Sequence, residues 1–339
     1  MPSSDLAERI RRMPKAELHI HVEGALRWST VRELNPQALE LGDSPPWLGG
    51  AFASFDDFRS IFHAFLLPAT GTEERIERLM FEMLEDLARQ NVCYAEPILY
   101  LPFHRGRGLS VRDVLGAVQR GIVRAEREYA IACRLIIGLN RSAQAEKECE
   151  CAREALEVVG PGGSALVAGL DVMSDDRFGI HPAFVELYRD ASRRGLRLKV
   201  HAGEMGGADV VRDALEKLEA PHLSHGVRAC EDENLLRELA AGKFWFHTCP
   251  TSNILMGVAP DYPRHPIKRL LDAGCILTLN SDDPLLYGVN ITDEYLHAAF
   301  DMGFSAEQIK QLAMNGIAAT LLSESEKHRL AGEVQLLFG

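Results

Sequence analysis

The chain has 339 residues, 46% of them hydrophobic and 25% charged, which is enough apolar material for a substantial core and an ordinary soluble surface. Its 37 basic and 49 acidic residues give a net charge of −12, which argues against duplex nucleic acid or an anionic membrane as a main partner, because both need a positive surface. No apolar run approaches membrane-spanning length, and residues 1–13 lack the apolar stretch of a secretory signal. The seven cysteines are scattered, odd in number and without a Cys-x-x-Cys pair, so a reducing, cytoplasmic location is expected.

Taken in chain order, short β-branched runs alternate with longer amphipathic ones. Strands are expected at about 16–22, 92–99, 133–139, 165–172, 196–201, 221–225, 243–248 and 275–280. Helices are expected at 73–90, 110–129, 143–158, 181–194, 208–218, 231–241 and 264–273, with closing helices over 305–323. Eight strands, most followed by a helix, predict one domain over 1–339 of class α/β, a (β/α)8 TIM barrel. The first connection is much longer than the rest. Residues 27–90 therefore read as a helical insertion after strand 1, serving either as a lid over the barrel mouth or as plain packing. The aromatic residues Phe52, Phe55, Phe58, Phe62 and Phe65 suit both roles.

Polar clusters stand at the C-terminal ends of four of these strands: Glu17-Leu18-His19-Ile20-His21, His201-Ala202-Gly203-Glu204, Ser224-His225-Gly226 and Asn280-Ser281-Asp282-Asp283-Pro284. That end is the one on which barrels of this class build their sites. His19 and His21 are two apart, so both face the barrel interior. Imidazole nitrogen and carboxylate oxygen suit zinc with one position left open, and the expected ligands of a single Zn2+ per chain are His19, His21, His201 and Asp282. Asp282 also fits a helix-capping role before the turn at Asp283-Pro284. A two-metal site is disfavoured, because the fourth strand ends Gly169-Leu170-Asp171-Val172 with no bridging lysine. Glu204, three residues after His201, is placed for proton transfer, and His225 and Asp283 remain as further polar groups. The bland alternatives are a capping Glu204 and a satisfied core His225. Glu17 and Lys199 lie two before His19 and His201, and are expected to form a buried ion pair beneath the site, direct or bridged by a water.

With these residues in view the chain resembles the adenosine/adenine deaminase family of the amidohydrolase superfamily. The matching stretches are Pro14 to His21, His201 to Glu204, Ser224 to Arg228, Cys249-Pro250-Thr251-Ser252-Asn253 and Leu279 to Pro284. The resemblance implies a zinc-dependent aminohydrolase in which Glu204 protonates purine N1, His225 steers the attacking hydroxide and Asp283 binds N7. Hydroxide adds at C6, ammonia leaves and a 6-oxopurine results. The other zinc deaminase type needs His-x-Glu with Pro-Cys-x-x-Cys; His21-Val22-Glu23 satisfies the first half, and the second is missing.

Three positions depart from the family pattern. Glu23 stands where adenosine deaminases commonly have a ribose-reaching Asp, Ser174 where a Gly often presents its N–H to purine N3, and Pro97 where many members have Arg. Glu23 and Ser174 are therefore expected, with His21 and Asp283, at the substrate. An adenosine-type nucleoside is the expected substrate, with adenine or a 5′-modified adenosine such as aminodeoxyfutalosine as alternatives. Amide or ester hydrolysis on the same scaffold is a competing reading, distinguished by its product.

Overall fold

The computed structural model describes residues 2–158 and 166–339. Eight parallel strands run in sequence order: β1 Lys15–His21, β2 Val92–Leu99, β3 Leu135–Asn140, β4 Val167–Met173, β5 Arg197–Ala202, β6 His222–His225, β7 Trp245–Thr248 and β8 Ile276–Leu279. A two-residue strand, Ala132–Cys133, adds to β2 just ahead of β3. The first position of the expected fourth strand, 165, lies outside the described residues; its remainder is β4.

Flanking helices cover the sheet where the amphipathic runs predicted them, among them Glu73–Ala88, Val111–Glu128, Pro182–Arg193, Ala208–Leu218 and Ala306–Ala319. Their starts carry the chemistry that stops a strand and begins a helix. Ser110 and Ser305 form reciprocal capping boxes with Asp113 and Gln308, and Asp232 accepts the N–H groups of Asn234 and Leu235. The apolar core lies between this helical ring and the outer face of the sheet, in side chains such as Leu135, Ile137, Val200, Leu223, Phe246 and Leu277.

The sheet closes into a barrel between β8 and β1. Asp282, three residues past β8, donates its N–H to His19 O at 3.0 Å, and its carbonyl accepts the His21 N–H at 2.9 Å. Below it, Asn280 Oδ1 accepts the Leu18 N–H at 2.8 Å.

The barrel interior is polar. Glu96 of β2 is fully buried and meets Lys199 Nζ at 2.8 Å and an Arg197 guanidinium nitrogen at 2.5 Å; the Tyr94 hydroxyl donates to it at 2.8 Å. Burial alone would raise the Glu96 carboxyl, but the Arg197 and Lys199 charges outweigh it and hold it down at about 2. The expected direct Glu17–Lys199 pair does not form. Parity placed both side chains inside the barrel, and both are fully buried. Glu17 instead turns along the seam, where Ser281 Oγ donates to it at 2.6 Å and Ser281 N at 3.2 Å. Lys199 crosses to Glu96 and donates to Leu18 O at 2.5 Å. Spacing along a strand gives the facing of a side chain, not which neighbour around the barrel it meets.

Between β1 and β2 lie helices Trp28–Leu34, Pro36–Leu39 and Phe55–Ile61, a wide turn at Phe62–Leu66 and then the crossover helix Glu73–Ala88. Trp28, Val31, Phe62 and Leu66 are buried together with Leu285, Leu286 and Tyr287 from beyond β8, which pins the segment over the β8–β1 side of the mouth.

Replacing Asn280 by Ala is expected to leave the buried Leu18 N–H without an acceptor and to cost about 1–3 kcal/mol. Urea unfolding of the two proteins measures it; an unchanged midpoint would show that the seam does not need this side chain.

Candidate active site

The site lies over the C-terminal ends of the strands and is assembled by turns in unusual backbone conformations. Of the five non-glycine residues with positive φ among the described residues, three stand at the site: Ser174 (78°), His225 (66°) and Asp282 (62°). Such conformations are held by surrounding structure and concentrate at functional sites. Ser174 thus keeps the left-handed turn that a glycine would take without strain. Gly203, at φ 77°, lets the chain leave β5 toward Glu204; a Cβ there would lie 2.6 Å from Val211 and 3.2 Å from the Gly226 backbone. Gly24 has a different task, since a Cβ on it would sit 1.6 Å from Asp283 Oδ1.

His19, His21, His201 and Asp282 converge. Nitrogen donors of the three imidazoles lie within 4.8 Å of one another. Asp282 Oδ1 is 3.4 Å from Nε2 of both His19 and His21. Both ring nitrogens of His19 are buried without a hydrogen-bond partner. Burial pushes the imidazole of His19 well below the usual range and that of His21 down to about 4, so both present lone pairs at neutral pH. Asp282 is the reverse: burial would raise it, but His19, His225 and His21 hold it well below the usual carboxylate range. Neutral imidazoles, an anionic carboxylate and an orphaned buried ring make a donor set that fits one divalent metal of the zinc type.

Two residues that sequence reasoning passed over support this set. Asp171, at the end of β4, accepts from His201 Nδ1 at 2.9 Å and from Ser224 Oγ at 2.6 Å, leaving the other His201 nitrogen for the cluster. Burial disfavours charge on His201, yet Asp171, Glu204 and Asp282 outweigh it and the net shift is upward. The signal was an Asp inside the apolar run Gly169-Leu170-Asp171-Val172. Asp176 accepts the N–H groups of Glu204 at 3.0 Å and Gly206 at 2.6 Å, fixing the turn that carries Glu204.

Glu204, His225 and Asp283 meet the cluster from the opposite side. His225 Nε2 is 3.6 Å from Glu204 Oε2 and 3.9 Å from Asp282 Oδ2. Glu204 is raised above the usual carboxylate range, first by burial and then by Asp282 and Asp176, against the lowering effect of His225. Asp283 is raised well above it, by burial and by Asp282, and its Oδ1 has no partner. Three neighbouring buried carboxyls are thereby pushed apart, Asp282 toward its anion and Glu204 and Asp283 toward holding a proton.

The pocket over this centre is lined by His21, His201, Glu204, His225, Asp282 and Asp283 at its floor and by Phe55, Phe58, Phe62, Phe103, Met256 and Tyr287 toward its mouth, with Ser174 and Asn140 on one wall. It encloses about 730 Å³, part of it open to solvent. Glu23 is not on this wall. It is 1% exposed, and its Oε1 is held at 3.1 Å by both the Tyr100 N–H and His104 Nε2. The mouth position expected for it from the family pattern is thus vacated, because the longer side chain finds partners behind the wall. His247 of β7 is fully buried within the barrel, against His222 and Thr278.

A closed parallel barrel with a His/His/His/Asp cluster at its strand ends defines a metal-dependent hydrolase. The adenosine deaminase family model matches residues 14–336, and the chain belongs to that family. It is similar to an adenine deaminase of Ralstonia pickettii (strain 12J), at 34% identity over 96% of this chain and 95% of that one. It is also similar to an adenosine deaminase of Edwardsiella ictaluri (strain 93-146), at 30% identity over 96% and 98%. Among solved structures, an adenine deaminase from Arthrobacter aurescens superimposes with a TM-score of 0.86 at 25% identity, over 96% of this chain and 98% of that one. The chain is accordingly a hydrolytic deaminase. No helix among the described residues is long and apolar enough to cross a membrane.

Asp171→Asn should keep the fold and weaken metal retention by about 10–100-fold, as losing a carboxylate behind a ligand histidine does. Competition with a chromogenic chelator reads this directly, and an unchanged affinity would remove Asp171 from the site.

Proposed function

We propose that this chain converts a 6-aminopurine to the 6-oxopurine and ammonia with one zinc held by His19, His21, His201 and Asp282, and that free adenine is its preferred substrate. The observation that carries the reaction is the pair of buried carboxyls, Glu204 and Asp283, both shifted toward holding a proton and both lining the pocket beside the donor set. The ring nitrogens of a purine are acceptors, so each is matched by a donor on the pocket wall. Glu204, raised above the usual carboxylate range by burial, supplies a proton toward N1, and Asp283, raised well above it by burial and by Asp282, donates to N7. Zinc, when bound, supplies Lewis acidity that makes a water nucleophilic at neutral pH. His225, between Glu204 and Asp282, would orient such a water toward C6. As N1 gains the proton from Glu204, the ring bond it takes part in gives up its double-bond character, and the proton returned by the water through Glu204 leaves with the amine. Ser174, in its left-handed turn on the pocket lining, would offer its N–H to N3.

Free adenine is favoured because Glu23 is drawn back against Tyr100 and His104, so no carboxylate remains at the mouth to hold a ribose hydroxyl. The similarity to adenine deaminases supports the same choice. A nucleoside is the second reading, favoured by the length of the pocket: it continues past the base-sized floor to Phe55, Phe58 and Arg59, where a substituent on N9 would lie.

Zinc-loaded protein incubated with adenine, adenosine and aminodeoxyfutalosine in parallel, with ammonia release followed for each, separates these readings. Adenine is expected to give the highest kcat/KM. Glu204→Gln is expected to lower kcat by about 10²–10⁴-fold or more on whichever substrate turns over. Turnover of none of the three would overturn the purine reading, and a preference for a nucleoside would end the choice of the free base.

A further inference from the structure

Behind His225, away from the pocket, runs a chain of three hydrogen bonds that the deaminase reading does not use. The Ile267 backbone N–H donates to His265 Nδ1 at 3.2 Å. His265 Nε2 lies 3.2 Å from Asn253 Oδ1, and Asn253 Nδ2 lies 3.2 Å from His225 Nδ1. All three side chains are buried, Asn253 completely.

A backbone N–H can only donate, and that fixes every step above it. His265 Nδ1 must be the acceptor, so its proton sits on Nε2. Burial pushes His265 down to about 3, which keeps this ring neutral and preserves the pattern. His265 Nε2–H then needs an oxygen, which sets the Asn253 amide with Oδ1 toward His265 and its NH2 toward His225. The opposite amide orientation would face donor against donor at His265. The NH2 group needs an acceptor in turn, and His225 Nδ1 is the atom it meets.

We infer that Asn253 and His265 are positioning residues that lock His225 as the Nε2–H tautomer, so that His225 serves the reaction as a hydrogen-bond donor at Nε2 and not as a base there. With Nδ1 occupied, Nε2–H faces the side of the pocket where Glu204 and Asp282 lie, 3.6 and 3.9 Å away. The ring can hold an oxygen nucleophile by donating to it, and proton uptake falls to Glu204 alone. The positive φ of His225 belongs to the same constraint, since it holds the ring between Asn253 and the pocket. The assignment of the donor role rests on the proposed deamination; the tautomer does not.

The test is nitrogen NMR on zinc-loaded protein labelled with 15N-histidine, the His225 signals being assigned by their loss in His225→Gln. The expected spectrum shows a neutral ring with hydrogen on Nε2 and a free lone pair on Nδ1. In Asn253→Asp the carboxylate can only accept, so the His225 proton should move to Nδ1, and kcat should fall on the order of 100-fold with KM within about threefold. If that variant does not fold, His265→Gln should retain the wild-type tautomer while His265→Leu, which frees the amide to turn over, should give a mixture. A wild-type His225 protonated on Nδ1, or an unchanged tautomer in Asn253→Asp, overturns the inference, as would identical His225 signals in the two His265 variants. Failure to turn over any purine would sink the substrate reading and leave the NMR result standing.

Discussion

Two backbone hydrogen bonds join the last strand end to the first, from Asp282 N to His19 O and from His21 N to Asp282 O. They close the barrel, and they also carry the Asp282 carboxylate onto the two histidines whose backbones they engage, to 3.4 Å from each ring. Closure and assembly of the metal-type donor set are one event. The rest of the seam serves it: Asn280 accepts Leu18 N–H, Ser281 binds Glu17, and the positive φ of Asp282 turns its carboxylate inward. His201 joins from across the barrel because β5 carries it to the same height, and Arg141 fixes that strand end by donating to the His201 and Val172 carbonyls.

A cluster of buried histidines and carboxyls is costly unless each group finds its complement. The barrel meets this cost in layers. At the bottom, Arg197 and Lys199 keep Glu96 ionised. In the middle, a His222–His247–Thr278 contact and the Asp171–His201 pair fill positions that other barrels give to aliphatic side chains. At the top, the imidazoles hold Asp282 well below the usual carboxylate range while burial raises Glu204 and Asp283 above it. The aromatic segment above reaches this centre through Phe62, which with Tyr287 belongs to the core and lines the pocket at once. The alternative posed by the sequence, lid or packing, is therefore not exclusive for these residues.

The strands and their flanking helices were legible because period and length are local properties; the strand ends differ from expectation by a residue or two. The convergence of His19, His21, His201 and Asp282 was legible too, because an α/β barrel brings all strand ends to one face. What the sequence did not show was lateral. Glu17 and Lys199 were rightly placed inside, but the stagger of the strands gave Lys199 to Glu96 and Glu17 to Ser281. Glu23 was placed by its neighbour His21, yet the length of its side chain let it reach Tyr100 and His104 behind the wall. Asp171, Asp176 and Asn253 act through other residues, and a partner's partner leaves no spacing signal along the chain.

Hydrogen exchange at single-amide resolution, with and without zinc, tests most directly whether barrel closure and the donor set are one element. Zinc should slow exchange of the seam amides of Leu18, His21 and Asp282 far more than that of Leu170 and Val172 in the interior of β4. Equal slowing everywhere, or none at the seam, would contradict the account and make the metal a guest in a barrel already closed without it.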